Sequence, residues 1–104
     1  MLTIRPGDLV VVMGQGLIGQ GSAQLARQRG ATVLATDIGS TRLRLSRETS
    51  ADHVINVREQ DLRAAVHDLK PSGADVVIET TGRAEQFAPC IDLMRTQGQL
   101  LLRG

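Results

Sequence analysis

Three glycines fall within six positions, at Gly14, Gly16 and Gly19, and this spacing constrains the fold more than any other feature of the 104-residue chain. The apolar run Leu9–Met13 precedes them and is typical of a strand buried on both faces of a parallel sheet. Residues 17–29 carry small side chains along one side and are predicted to be helical, with Gly30 ending the helix in the left-handed conformation. A strand, a glycine-rich turn and a helix therefore follow one another directly.

The rest of the chain alternates between apolar strands and helices joined by short turns. The later strands are predicted at residues 31–36, 53–57, 75–79 and 99–102, and Gly98 is expected to turn the chain into the fifth strand. The later helices are predicted at residues 40–48, with Ser40 as the N-cap, and at 62–69 and 84–91. The final helix would carry Ala84, Phe87, Ala88 and Ile91 on one face. Such alternation predicts one α/β domain over residues 1–104, a doubly wound parallel sheet of the Rossmann type with helices on both faces. Its five strands would take the order 3-2-1-4-5.

Each glycine of the turn has a separate physical role in a dinucleotide-binding site. Gly14 would permit a sharp turn, and Gly16 would let a pyrophosphate approach the backbone. Gly19 would let the helix lie close to the sheet. The unpaired amides and partial positive charge at the helix N-terminus would then hold the phosphates. The alternative is a glycine turn with a structural role only.

Asp37 follows the second predicted strand and lies 18 residues beyond Gly19. A ribose-binding acid is expected about 20 residues beyond such a loop. A carboxylate can accept hydrogen bonds from both ribose hydroxyls of NAD, but it would repel the 2′-phosphate of NADP. The sequence therefore predicts that NAD is preferred over NADP. The alternative is that Asp37 only caps the following helix.

Composition argues against several other classes of function. The net charge is +1 and Phe87 is the single aromatic residue, so neither an electrostatic pull toward nucleic acid nor a base-stacking platform is expected. The apolar runs are too short to cross a membrane and no secretory signal is evident, which predicts a cytoplasmic protein with no membrane partner. Cys90 is the single cysteine and is expected to be a small buried residue.

Polar residues outside the loop offer no second site. His53 and His67 have no neighbouring acid, serine or cysteine in a catalytic or metal-binding pattern. Glu79 ends a buried strand, and a structural hydrogen-bonding role is favoured over a catalytic one. No catalytic or metal-ligating residue is therefore predicted in this chain.

Several segments, in the correct order, resemble the medium-chain dehydrogenase/reductase superfamily, and in particular its zinc-type alcohol dehydrogenases. They are residues 6–19, 24–27, 35–37, 51–56 and 73–82. The resemblance implies an NAD-dependent oxidoreductase that transfers a hydride between the nicotinamide and a small alcohol or carbonyl substrate.

The resemblance also implies which residues contact the cofactor. Asp37 would hold the adenosine ribose, with Arg42 near the same ribose and its phosphate. Ile38 and Thr81 would flank the adenine ring, and Arg103, with Gly104, would lie near the nicotinamide. The predicted cofactor-binding residues are Gly14, Gly16, Leu17, Ile18, Gly19, Asp37, Ile38, Arg42, Thr80, Thr81, Gly82 and Arg103.

The chain also departs from this family. The family's catalytic domain, with its zinc ligands and proton relay, has no counterpart here, and neither does the sixth strand of the sheet. The chain is therefore expected to be a truncated cofactor domain that binds NAD but is inactive alone, with any zinc in the absent domain. Family members commonly dimerise by joining sheets near the fifth strand, so a homo-oligomer is expected.

Two other functions remain as alternatives. A stand-alone NAD-sensing module, such as those attached to potassium transport proteins, accounts for the glycines and for Asp37 but not for residues 51–56 and 77–82. A methyltransferase that uses S-adenosylmethionine ranks third, because its glycine loop usually lacks the third glycine at this spacing.

Overall fold

Five parallel strands form one sheet in the order β3-β2-β1-β4-β5, in a computed structural model that describes residues 2–37, 39–83, 85 and 87–102. The strands are β1 (Leu9–Met13), β2 (Thr32–Asp37), β3 (His53–Asn56), β4 (Ala74–Glu79) and β5 (Met94–Leu102). The helices are α1 (Leu17–Gln28), α2 (Ser40–Thr49), α3 (Leu62–Leu69) and α4 (Phe87–Leu93). The predicted α/β fold and its strand order are confirmed.

Alternate residues of β1 contribute to two separate hydrophobic cores, one on each face of the sheet. Val10 and Val12 pack on the face that α1 covers with Ala23 and Ala26. The opposite core contains Leu9, Val11 and Met13 of β1, Val66 of α3, and Cys90 and Leu93 of α4. Because helices cover both faces, β1 is buried along its whole length, as its unbroken apolar run predicts.

Two predicted helix features are wrong. Gly39 is the N-cap of α2 and Ser40 is its first helical residue, since the first bond of the helix runs from the Leu43 amide to the Gly39 carbonyl. On the predicted apolar face of α4, Ala88 and Ile91 are exposed, Ile91 by 49%. The helix has apolar residues on nearly all sides, so periodicity could not identify the face that Cys90 and Leu93 bury. Ala84 and the side chain of Phe87 lie outside what the structure describes.

The last strand also begins earlier than predicted. It starts at Met94, which pairs with Ala74, and the next pair, Val76 with Gln99, follows a shift in register. Gln97 lies within this irregular stretch and has a φ of 65°. The chain therefore joins the sheet directly after α4, bulges, and resumes regular pairing where residues 99–102 are predicted.

Asp75 is a buried acid in β4, and its side chain is 5% exposed. It accepts hydrogen bonds from the backbone amide of Leu9 at 2.8 Å and from Arg95 Nε at 2.6 Å, and it pairs with Lys70 Nζ. Burial alone would raise the pKa of this carboxyl, but the three donors outweigh burial and hold the pKa below its usual value.

Replacing Asp75 with Asn should lower the free energy of unfolding by about 3 kcal/mol at pH 7, because it leaves two partly buried cations without their counter-charge. The carboxyl has a lower pKa in the folded than in the unfolded chain, so its stabilisation is present above the unfolded pKa and is lost as pH falls through the folded pKa. Urea denaturation of both proteins at pH 7 and at acid pH tests this. Equal stability at pH 7 would contradict it.

Candidate functional site

The carboxyl ends of the central strands open on a cleft of about 980 Å³. Strands β2 and β3 lie on one side of β1, and β4 and β5 lie on the other, so the winding of the chain reverses here. Ligands of open parallel sheets bind outside the carboxyl ends of the strands at this reversal. The predicted residues that line the cleft are Gly14, Gly16, Ile18, Gly19, Asp37, Arg42, Thr80 and Thr81.

Of the other predicted contacts, Gly82 is described and is not among the residues that line the cleft. Leu17 begins α1, but its side chain lies outside what the structure describes, as do Ile38, Arg103 and Gly104. Gly82 has a φ of 71° and follows Thr81 in the turn after β4. The roles assigned to these residues stay predictions.

Gly14 makes the sharp turn that leads out of β1. Its φ is +94°, and its amide donates to the carbonyl of Thr36 at 2.8 Å. An added Cβ would lie 2.6 Å from the Thr80 hydroxyl, which itself donates to the carbonyl oxygens of Met13 (2.8 Å) and Gly14 (3.1 Å). Backbone angle and close packing therefore both require glycine here.

Gly16 and Gly19 lack side chains for different reasons. A Cβ at Gly19 would overlap the carbonyl oxygen of Gly14, so the contact that excludes a side chain is with the loop itself. A Cβ at Gly16 would meet no atom within 4 Å, and Gly16 lines the cleft as the N-cap of α1. The first amides of α1 therefore border an open space shaped for a close ligand such as a phosphate.

Asp37, the last residue of β2, lies beside this loop. Its Oδ2 accepts a hydrogen bond from the backbone amide of Gln15 at 2.8 Å and lies 3.5 Å from Nη1 of Arg42. The carboxylate side chain is 9% exposed, whereas that of Arg42 is 62% exposed. The structure thus brings the predicted ribose-binding acid and the glycine loop together at one end of the cleft.

Glu79 organises the turn that forms the facing wall. Its carboxylate accepts hydrogen bonds from the Thr81 amide at 2.8 Å, from the Thr81 hydroxyl, and from the Gly82 amide at 3.2 Å. These bonds agree with the predicted structural role. The buried Cys90 lies behind this wall, and burial, together with the charge of Glu79, raises the pKa of its thiol to about 11. A thiol of that pKa is a packing group at neutral pH.

Sequence reasoning missed part of the cleft wall and one buried residue of the loop. The missed wall residues are Met13, Thr36, Val57, Gln60, Asp61, Leu62, Arg63, Arg83, Pro89, Asp92 and Leu93. The available signal was position, because most of them lie near the carboxyl end of a strand or in the segments that follow β3 and β4, whose carboxyl ends open on the cleft. The missed loop residue is Gln15, which is fully buried although it is polar.

The described residues contain no group of three or more His, Cys, Asp or Glu side chains that could hold a metal ion. They therefore do not fit a zinc ion. Among the described helices, none is long and apolar enough to span a bilayer.

Comparison with known proteins gives a consistent family. Residues 18–104 match the family model of zinc-binding dehydrogenases. The sorbitol dehydrogenase of Halalkalibacterium halodurans is 40% identical over 100 residues, covering 93% of this chain and 29% of that protein. The L-threonine 3-dehydrogenase of Anaeromyxobacter sp. is 37% identical, covering 94% of this chain and 29% of that protein. The chain thus spans less than a third of the length of these relatives.

Solved structures agree with this result. Benzyl alcohol dehydrogenase from Acinetobacter calcoaceticus superposes with a TM-score of 0.94 at 31% identity, over 99% of this chain and 29% of that one. A protein described as a zinc-binding dehydrogenase, from Sinorhizobium meliloti 1021 and bound to NADP, gives a TM-score of 0.88 at 34% identity, over 95% of this chain and 30% of that one. The hypothesis of an NAD-sensing transport module gains no support from these similarities.

Proposed function

Since the chain belongs to the zinc-binding dehydrogenase family, we propose that it forms the NAD-binding part of an alcohol dehydrogenase-like oxidoreductase acting on a small alcohol or carbonyl substrate. One observation carries the proposal: the Asp37 carboxylate is hydrogen-bonded to the backbone of the glycine loop at the end of a cleft large enough for a cofactor. Bound NAD would supply the hydride acceptor.

Different residues of the cleft would bind different parts of the cofactor. The amides at the start of α1, with the open space beside Gly16, would bind the pyrophosphate. Asp37 would accept hydrogen bonds from the adenosine ribose, with Arg42 beside it, and Thr81 would contact the adenine. Thr80 supports the site indirectly, because its hydroxyl holds the carbonyl oxygens at the loop entrance.

The preference for NAD rests on Asp37. The relative from Sinorhizobium meliloti was solved with NADP, so family membership does not by itself determine the cofactor. A phosphate on the 2′-oxygen would be brought against a carboxylate that is nearly buried, where like charges are poorly screened. Arg42 only partly offsets this repulsion, because it is largely exposed and already pairs with the same carboxylate.

We expect the 104-residue chain to bind NADH without turning over substrate. At a free NADH concentration 100 times Kd, binding would stabilise the fold by about 2.7 kcal/mol and raise Tm by about 10 °C or more. The same sample, given NAD and a panel of alcohols, should form no NADH, because the residues assigned to the cleft here bind the cofactor, and hydride transfer also needs groups that hold the substrate against the nicotinamide. A thermal shift assay and an absorbance assay at 340 nm measure the two results. An unchanged Tm, or reproducible NADH formation, would contradict the proposal.

We also expect the chain to self-associate through β5, which is the last strand in the sheet order. A strand at the edge of a sheet that carries apolar residues can pair with a second copy. Leu102 is 55% exposed, whereas Leu101 packs against a hydrophobic core. Leu102→Lys therefore places a charge on the edge strand with less effect on the fold than a substitution of Leu101 would have. Light scattering over a concentration series should show a mass that rises for the wild type and rises less for the variant. A monomeric wild type at high concentration would contradict this expectation.

A further inference from the structure

Gln15 is a polar residue buried between the first two glycines of the loop. Burying an amide side chain is costly unless its polar atoms are paired. Here Nε2 donates to the carbonyl oxygens of Val12 at 3.0 Å and Gly14 at 2.9 Å, and Oε1 accepts from the hydroxyl of Ser46 at 2.8 Å. Both the nitrogen and the oxygen of the side-chain amide are therefore hydrogen-bonded.

The main chain of Gln15 is fixed as well. Its N–H donates to Oδ2 of Asp37 at 2.8 Å, and its carbonyl oxygen accepts from Nε2 of Gln20 at 3.0 Å. A hydrogen bond to a charged acceptor is stronger than one between neutral groups. The N–H belongs to the Gly14–Gln15 peptide and the carbonyl oxygen to the Gln15–Gly16 peptide. The first of these peptides, together with Arg42, contributes to positioning the proposed ribose-binding carboxylate.

Ser46 connects the loop to α2, the helix that follows Asp37. It is fully buried in the helix interior, and its bond to Gln15 crosses from the loop to α2. Through Gln15 the loop is therefore bonded to Asp37 at the end of β2, by the backbone amide, and to Ser46 of α2, by the side chain. Without the Gln15 side chain, the Gly14 carbonyl of that peptide would keep its hydrogen bond from the Thr80 hydroxyl but lose the one from Nε2, so the peptide would be held less firmly against the carboxylate.

We propose that Gln15 is a positioning residue for recognition of the adenosine ribose. Anchored on Ser46, it holds the peptide that orients Asp37, and so it determines how strongly the site distinguishes a ribose that carries a 2′-hydroxyl from one that lacks it. This inference rests on the proposed binding of NAD.

The test compares the Kd of NADH with the Kd of its analogue that lacks the 2′-hydroxyl on the adenosine ribose. We expect the wild type to favour NADH by about tenfold, as for a hydrogen bond to a charged group. Gln15→Leu should reduce this ratio to about threefold or less, and Ser46→Ala should reduce it in the same direction by a smaller factor. The double variant should have nearly the same ratio as Gln15→Leu alone, because the two residues act through one contact. Gln24→Leu, at an exposed position of α1, is the matched control.

A residue that only stabilised the fold would change Tm and would shift both Kd values by the same factor. An unchanged ratio in both Gln15→Leu and Ser46→Ala overturns the inference, and if Gln15→Leu does not fold, Ser46→Ala decides alone. The variant Asp37→Asn distinguishes a failure of the inference about Gln15 from a failure of the proposed function. If the wild type binds no NADH, or if Asp37→Asn keeps the wild-type ratio, the assignment of the ribose site fails, and the role of Gln15 fails with it.

Discussion

Gly19→Ala should destabilise the fold strongly, whereas Gly16→Ala should leave stability almost unchanged and weaken NADH binding. A methyl group at Gly19 would overlap the carbonyl oxygen of Gly14, which is backbone and cannot move without opening the turn. We expect a loss of about 3 kcal/mol or more in the free energy of unfolding. A methyl group at Gly16 meets no protein atom and has an ordinary φ of −74°, so stability should change by about 0.5 kcal/mol or less.

The same methyl group at Gly16 would project into the space that we assign to the pyrophosphate. We expect the Kd of NADH to rise by about tenfold or more, through lost contact with the helix amides. Urea denaturation and a fluorescence titration of NADH separate the two effects. Gly21→Ala, at an exposed helical position with nothing within 4 Å of an added Cβ, is the matched control. If Gly16→Ala binds NADH as the wild type does, the phosphate does not approach Gly16.

Asp37→Ala should weaken NADH binding by about ten- to a hundredfold, the range for losing hydrogen bonds to a charged group. The same substitution should weaken NADPH binding much less, because it also removes a negative charge that repels the 2′-phosphate. The ratio between the Kd values of NADPH and NADH therefore becomes smaller. Arg42 is exposed and no longer pairs with Asp37 in this variant, which favours binding of NADPH further. Titrations of both cofactors measure the change. Asp68→Ala, at an exposed position of α3, controls for the loss of one negative charge. If binding of NADH and binding of NADPH were weakened by the same factor, Asp37 would have no role in cofactor specificity.

The parts of the fold that depend on local patterns could be predicted from the sequence. The run Leu9–Met13 is buried on both faces, which its lack of alternation indicates. Gly30 has a φ of +87°, as expected for a residue that ends α1 in the left-handed region. The alternation of elements predicted a parallel sheet, and the strand order was expected from the dinucleotide-binding fold that the glycine loop indicates.

The parts that depend on contacts between distant residues could not be predicted. The buried face of α4 is decided by which side meets the sheet, and Ile91 and Leu93 are equally apolar candidates until that contact exists. The bulge in β5 depends on pairing with β4, which leaves no periodic signal. The glycine motif specifies no residue type at Gln15, and its burial depends in part on the hydroxyl of Ser46, 31 residues away, which pairs with its Oε1.

Calorimetric titration of the wild-type chain with NADH and, separately, with NADPH measures whether this cleft is an NAD site. We expect saturable binding of one NADH per chain and a Kd for NADPH about tenfold higher or more, because a like-charge contact costs several kcal/mol and Arg42 offsets part of it. Absence of NADH binding, or an equal or higher affinity for NADPH, would show that the glycine loop and Asp37 do not form the site proposed here.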